Sequence, residues 1–150
     1  MDPLKLIALD RDDLAVISTH LQDAIVNVGD IVWLRAEKRL VLGVNRFDWE
    51  AAGCDNPQYR RRRTAVRFER VNAVKCRNVH QDNKDAVLSL LAVDFVEGDV
   101  PAGAILLTFS GGATLRLDVE CLEAEIADLG PAWATTLCPD HSKDLAESRR

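Results

Sequence analysis

The sequence predicts an α+β protein: about seven short antiparallel strands form a curved sheet or partly open barrel, with a helix at each end of the chain. Three observations carry this. An apolar stripe at helical spacing follows Asp10, and short β-rich runs broken by turn residues fill the middle of the chain. A second helical stripe runs from Val119 and stops at Gly130-Pro131. The order of elements, strands and then a C-terminal helix, is similar in outline to the pleckstrin-homology superfold.

The elements follow in order. Leu4 to Leu9 is a short apolar run suited to an edge strand. Asp10 is an N-cap, with Asp12 and Asp13 near the positive end of the helix dipole. Leu14, Ile17, Leu21 and Ala24 recur at spacings of three and four and predict a helix over about 11–24. The period then drops to two. Ile25–Val28 and Ile31–Arg35 read as two short strands about a Gly29-Asp30 turn, and Ala36-Glu37-Lys38 as a hairpin tip. Leu40, Leu42 and Val44 alternate into a strand reaching Phe47 or Trp49. Residues 51–63 read as the longest loop, ending in four consecutive arginines.

Thr64 to Val79 returns to strand character with a break near Val71. After a polar turn at 81–85, Ala86 to Val96 is almost wholly apolar and predicts a central strand covered on both faces. Ala104–Phe109, Ser110-Gly111-Gly112 and Thr114–Leu117 form a hairpin. Asp118 then caps the second helix, whose stripe is Val119, Leu122, Ile126 and Leu129. Residues 1–141 are expected to form one α+β domain, with a disordered tail over 142–150.

Composition bounds the function. The 150 residues carry a net charge of −5, with 47% hydrophobic and 29% charged residues. A mildly acidic chain is not globally suited to polyanions. No apolar run is long enough for a membrane helix, and Met1-Asp2-Pro3-Leu4-Lys5 lacks the form of a secretory signal, so the cytoplasm is the expected compartment and no membrane partner is expected. Cys54, Cys76, Cys121 and Cys138 contain no Cys-x-x-Cys pair and are expected to be free thiols.

Several stretches together resemble a known family: Asp13 to Ser18, His20 to Ala24, Asn45 to Glu50, Arg62-Arg63-Thr64-Ala65, and Asp128 to Trp133. The chain resembles an uncharacterised bacterial domain of unknown function found in alphaproteobacteria, over about residues 4 to 141. The resemblance implies a bacterial cytosolic protein and transfers no catalytic or binding residues.

Charge is strongly polarised along the sequence. Residues 60–77 hold eight basic residues against Glu69, a local +7, while residues 118–128 hold five acids and no base. Guanidinium forks suit carboxylate and phosphate. Arg60, Arg61, Arg62, Arg63 and Arg67 are therefore the candidate anion-binding residues, with Trp49 as aromatic neighbour and Tyr59 beside the run. The candidate partner is an anionic ligand or an acidic protein surface, nucleic acid being less favoured. A homo-oligomer could also form, the basic strand of one copy meeting the acidic helix of another.

A second candidate polar site comprises Arg46 and Asp48 at a strand end with His20 and Asp23 at a helix end. Arg46, Asp48 and Glu50 would share one face, and Phe47 and Trp49 the other. The simplest alternative is a structural Arg46–Asp48 pair over an aromatic anchor. Cys138-Pro139-Asp140-His141 offers two of the four ligands a structural zinc needs, so no metal and no cofactor is assigned. Ser110-Gly111-Gly112 joins two strands and does not lead into a helix as phosphate loops do. The leading expectation is a non-enzymatic binding module whose Arg61, Arg62 and Arg63 can all become Glu with little change in thermal stability. The rivals are a small enzyme with His20 or His80 as base, and a structural subunit with an apolar patch near Trp133.

Overall fold

A computed structural model describes residues 3–49, 59–130 and 132–134. The elements are β1 (Lys5–Ala8), α1 (Arg11–Leu21), β2 (Ala24–Leu34), β3 (Arg39–Phe47), β4 (Arg60–Phe68), β5 (Val71–Arg77), β6 (Val87–Glu97), β7 (Gly103–Phe109), β8 (Thr114–Val119), β9 (Ala124–Asp128) and the two-residue β10 (Trp133–Ala134).

The first helix forms as its sequence demands. Asp10 Oδ1 accepts from the Asp13 N–H at 2.8 Å, and Leu14, Ile17 and Leu21 are buried. It stops at Leu21, short of the expected 24, where Asp23 takes a positive φ of 63° and gives its N–H to the Leu90 carbonyl. Ser18 Oγ accepts from the Val93 N–H at 2.9 Å, which fastens α1 to β6.

The strands make one antiparallel sheet in the order β1-β9-β4-β3-β2-β6-β7-β8-β5, with β10 paired to the start of β4. The sheet is not closed; β1 and β5 are its ends. It bends so that two connections lie side by side: the Glu69 N–H donates to the Glu123 carbonyl, and the Glu120 N–H to the Arg70 carbonyl. The free side of β5 meets the β2–β3 turn through Val71 N–H to the Lys38 carbonyl. The core lies inside this bend, centred on Leu42, Val66, Phe68, Leu90, Ile105, Leu107, Leu117 and Ile126.

Several expectations are corrected. The stretch assigned to a C-terminal helix is the end of β8, a short connection and β9. Its helical stripe coincided with a period-two pattern: Leu122, Ala124 and Ile126 are buried, and Glu123 and Glu125 alternate with them. β9 lies between β1 and β4, and every backbone position from Ala124 to Ala127 pairs on both sides. A strand was favoured because two neighbours satisfy its amides at once. The outline likeness to the pleckstrin-homology superfold rested on that helix.

Gly29-Asp30 is not a turn but a register shift within β2, between Val26 and Ile31. β6 buries one face only, with Val87, Leu91 and Val96 exposed. The four arginines lie in β4 rather than a loop, because their pleat matches β3 residue for residue from Phe47↔Arg61 to Leu40↔Phe68. The expected tail, 142–150, lies outside the described residues. No helix among the described residues is long and apolar enough to cross a membrane.

Candidate anion site on the arginine strand

Period two decides which arginines are buried. On the inner face of β4, Arg62, Thr64, Val66 and Phe68 are buried, while Arg61, Arg63, Ala65 and Arg67 face outward and are half-buried. Three inner rows cross β3, β4 and β9: Leu40–Phe68–Ala124, Leu42–Val66–Ile126 and Val44–Thr64–Asp128. A fourth pairs Arg46 with Arg62. The inner face thus passes from purely apolar to charged along its length.

At the charged end, Arg46 grips Asp128 with a two-pronged contact, Nε to Oδ1 and Nη2 to Oδ2, both 2.8 Å. Their side chains are 1% and 0% exposed. Thr64 donates its hydroxyl to Asp128 at 2.8 Å, and the Leu4 N–H donates at 2.7 Å. Asp48, equally buried, accepts from Arg60 Nη2 and Arg62 Nε, each at 3.0 Å. Among the described residues two carboxylates face two buried guanidinia here, and Arg60 adds one positive charge at the edge. Burial pushes the Asp128 carboxyl up. The hydrogen bonds from Arg46, Leu4 and Thr64, together with the Arg46 charge, outweigh it and hold the carboxyl below its ordinary value.

The outer arginines are mostly neutralised too. Arg63 reaches Asp30 at 3.1 Å and the Asn45 side chain at 3.2 Å. Arg67 bridges Glu69 and Glu125, at 3.0 and 2.9 Å. The acidic residues of 118–128 find their cations within the same chain: Lys38 holds Glu120 at 2.7 Å, and Arg116 holds Asp118 at 3.0 Å. The polarity seen along the sequence is therefore largely cancelled in space.

Arg61 differs. Among the described residues it forms no ion pair. Its Nη1 donates to the Asn45 carbonyl at 3.1 Å and the Asp23 carbonyl at 3.4 Å, and its guanidinium lies 5.8 Å from the Phe47 ring centre. Burial lowers its pKa, partly offset by the charge of Asp23. Trp133 occupies the position opposite Arg61 on β10 and is exposed. Trp49 packs edge-on to Phe47 at 4.6 Å and donates its indole N–H to the Gln22 carbonyl, while Tyr59 lies 6.1 Å from Phe47. Next to it, the buried Nε of Arg60 has no hydrogen-bond partner among the described residues. This end of β3 and β4 therefore sets the Arg61 guanidinium among aromatic rings.

Of the second candidate site, Arg46 and Asp48 belong to the buried cluster. Phe47 between them is buried as well, so both faces of β3 are covered at this end. His20 is half-buried on the last turn of α1, and Asp23 is buried beside Arg61. His80 is exposed in the β5–β6 connection. Cys76 and Cys121 are free thiols; Cys54 and the Cys138–His141 stretch lie outside the described residues. Asp128 and Thr64 were missed as site residues. The alternation Ala124, Ile126, Asp128 is the signal that places that carboxylate inside a strand.

Fold and site together define an antiparallel β-sheet protein that carries helix α1 and has a buried ion-pair cluster at one end. A family model described as "Protein of unknown function (DUF2948)" matches residues 4–141, and the chain belongs to that family. No curated protein and no solved structure matches the chain.

Proposed function

We propose that the protein is a non-enzymatic binding module that docks an acidic segment of a protein partner at Arg61. The observation that carries this is the placement of Arg61: a half-buried guanidinium without an ion pair among the described residues, against Phe47 and opposite an exposed Trp133. A desolvated guanidinium gains most from a carboxylate, and aromatic anchors beside it exclude water from the contact. Nucleic acid is the weaker reading, because each phosphate contact asks for an unpaired cation and the ladder spends Arg62, Arg63 and Arg67 on carboxylates. An exposed free thiol at Cys76 fits the reducing bacterial cytoplasm expected for this chain.

The test is tryptophan fluorescence during titration with a synthetic hexaglutamate peptide, with a single-stranded oligonucleotide as comparison. Saturable quenching by the peptide, weakened about tenfold in Arg61→Gln at unchanged melting temperature, supports the reading. Binding of the oligonucleotide alone, or peptide binding indifferent to Arg61→Gln, overturns it.

A further inference from the structure

At the opposite end of β3 from Phe47 lies a cavity that the arginine strand does not use. Leu40, which lines it, is seven residues along the strand from Phe47, about 23 Å at the usual rise. The cavity measures about 310 Å³. It occupies a seam between β2 and β3 on one side and β5 and β8 on the other. Val28, Leu40 and Leu115 are its buried wall, with Ile31, Trp33 and Val74 partly buried around them.

The solvent side is polar. Gln81 and Lys84 also line the cavity, and both are exposed. The Gln81 amide is turned to Cys76 Sγ at 3.1 Å. Lys84 makes no ion pair among the described residues. Its backbone is held against β2, since the Gly29 N–H donates to the Lys84 carbonyl at 2.9 Å. A Cβ on Gly29 would come within 3.1 Å of that carbonyl and 3.2 Å of the Lys84 Cβ, so glycine lets the connection lie flat against β2. An apolar hollow with an exposed lysine on its rim is complementary to an apolar body bearing a single anionic end.

We propose that this seam binds a small amphiphilic carboxylate, its hydrocarbon body against Trp33, Leu40 and Leu115 and its carboxylate at Lys84. The volume equals that of about ten waters at roughly 30 Å³ each, so a body of about ten heavy atoms fills it. Sodium octanoate is the matching probe.

The experiment is an NMR titration of the full chain, following the Trp33 indole and the Val28, Ile31 and Leu115 methyl signals. Saturable shifts confined to those groups, with affinity weakened about tenfold in Lys84→Met while 1-octanol binding is unchanged, support the proposal. Leu115→Trp fills the hollow and is expected to abolish both; Val79→Trp, at the partly buried edge of the cavity, is the second filler if the first does not fold. The proposal is overturned by the absence of saturable shifts, by shifts scattered over other surfaces, or by octylammonium binding as well as octanoate. It is equally overturned by octanoate binding indifferent to Lys84→Met.

Discussion

Arg46 and Asp128 are 82 residues apart in sequence and joined by two parallel 2.8 Å hydrogen bonds. Neither side chain reaches solvent. Asp128 also accepts from Thr64 and from the Leu4 N–H, so one carboxylate ties β3, β4, β9 and the N-terminal segment together. A buried pair adds little net stability compared with a well-packed apolar pair, but breaking it leaves a charge stranded. Asp128→Asn is therefore expected to cost about 3–5 kcal/mol, the range for an orphaned buried partner, read as a fall in the urea midpoint. A loss as small as that typical of exposed surface ion pairs, under about 1 kcal/mol, would contradict this.

The same carboxylate sets an acid limb. Its folded pKa lies below the unfolded value. Its contribution is fully present above the unfolded value of about 3.9, and it is lost as pH falls through the depressed folded pKa. Urea midpoints should be flat from neutrality to about pH 5 and drop steeply below about pH 4. In Asp128→Asn that drop should be shallower, leaving the part due to Asp118 and the other paired acids.

The four consecutive arginines should separate on substitution. Arg62→Glu places a second carboxylate beside Asp48 in a site 4% exposed and is expected to unfold the protein or lower its melting temperature sharply. Arg61→Gln, which keeps an amide donor and adds no charge beside Asp23, should leave the melt within a few degrees of the parent. This replaces the expectation from sequence that Arg61, Arg62 and Arg63 could all be reversed without cost. Differential scanning calorimetry of the two single variants decides it.

Two glycines in strands should behave oppositely. A Cβ on Gly43 meets only the far end of Arg63, its Nη2 at 2.5 Å, which can swing away. Gly43→Ala is expected to cost under about 1 kcal/mol. A Cβ on Gly103 collides with the Val96 carbonyl and, at 2.6 Å, with Phe95 Cζ, neither free to move. Gly103→Ala is expected to cost several times more, measured as the shift in denaturant midpoint.

Much of the sheet was legible because its signals are local. Asp10 announces α1, and Ser110-Gly111-Gly112 turns β7 into β8, with positive φ at both glycines. The C-terminal error had a physical source: Val119, Leu122, Ile126 and Leu129 fit a helix period and lead into Gly130-Pro131. Only the partners on either side of β9 show which periodicity prevails. The arginines gave the site's chemistry but not its burial, since whether Arg62 is solvated depends on Asp48 and β3. Asp128 counted as one of five acids on a charged face; its role appears only when Arg46, 82 residues earlier, is folded against it.

The placement of β9 has a consequence for the order of assembly. β1 precedes every other described strand, yet among the described residues its strand partner is β9, the ninth. During synthesis the first strand must wait for residue 128 to leave the ribosome, while β4 stands with one flank open from residue 68 onward. The meander of β2, β3 and β4, the run from β6 to β8, and the pairings of β6 with β2 and of β8 with β5 can all form before β9 is made. A nascent chain halted before residue 124 should therefore remain sensitive to protease at both β1 and β4.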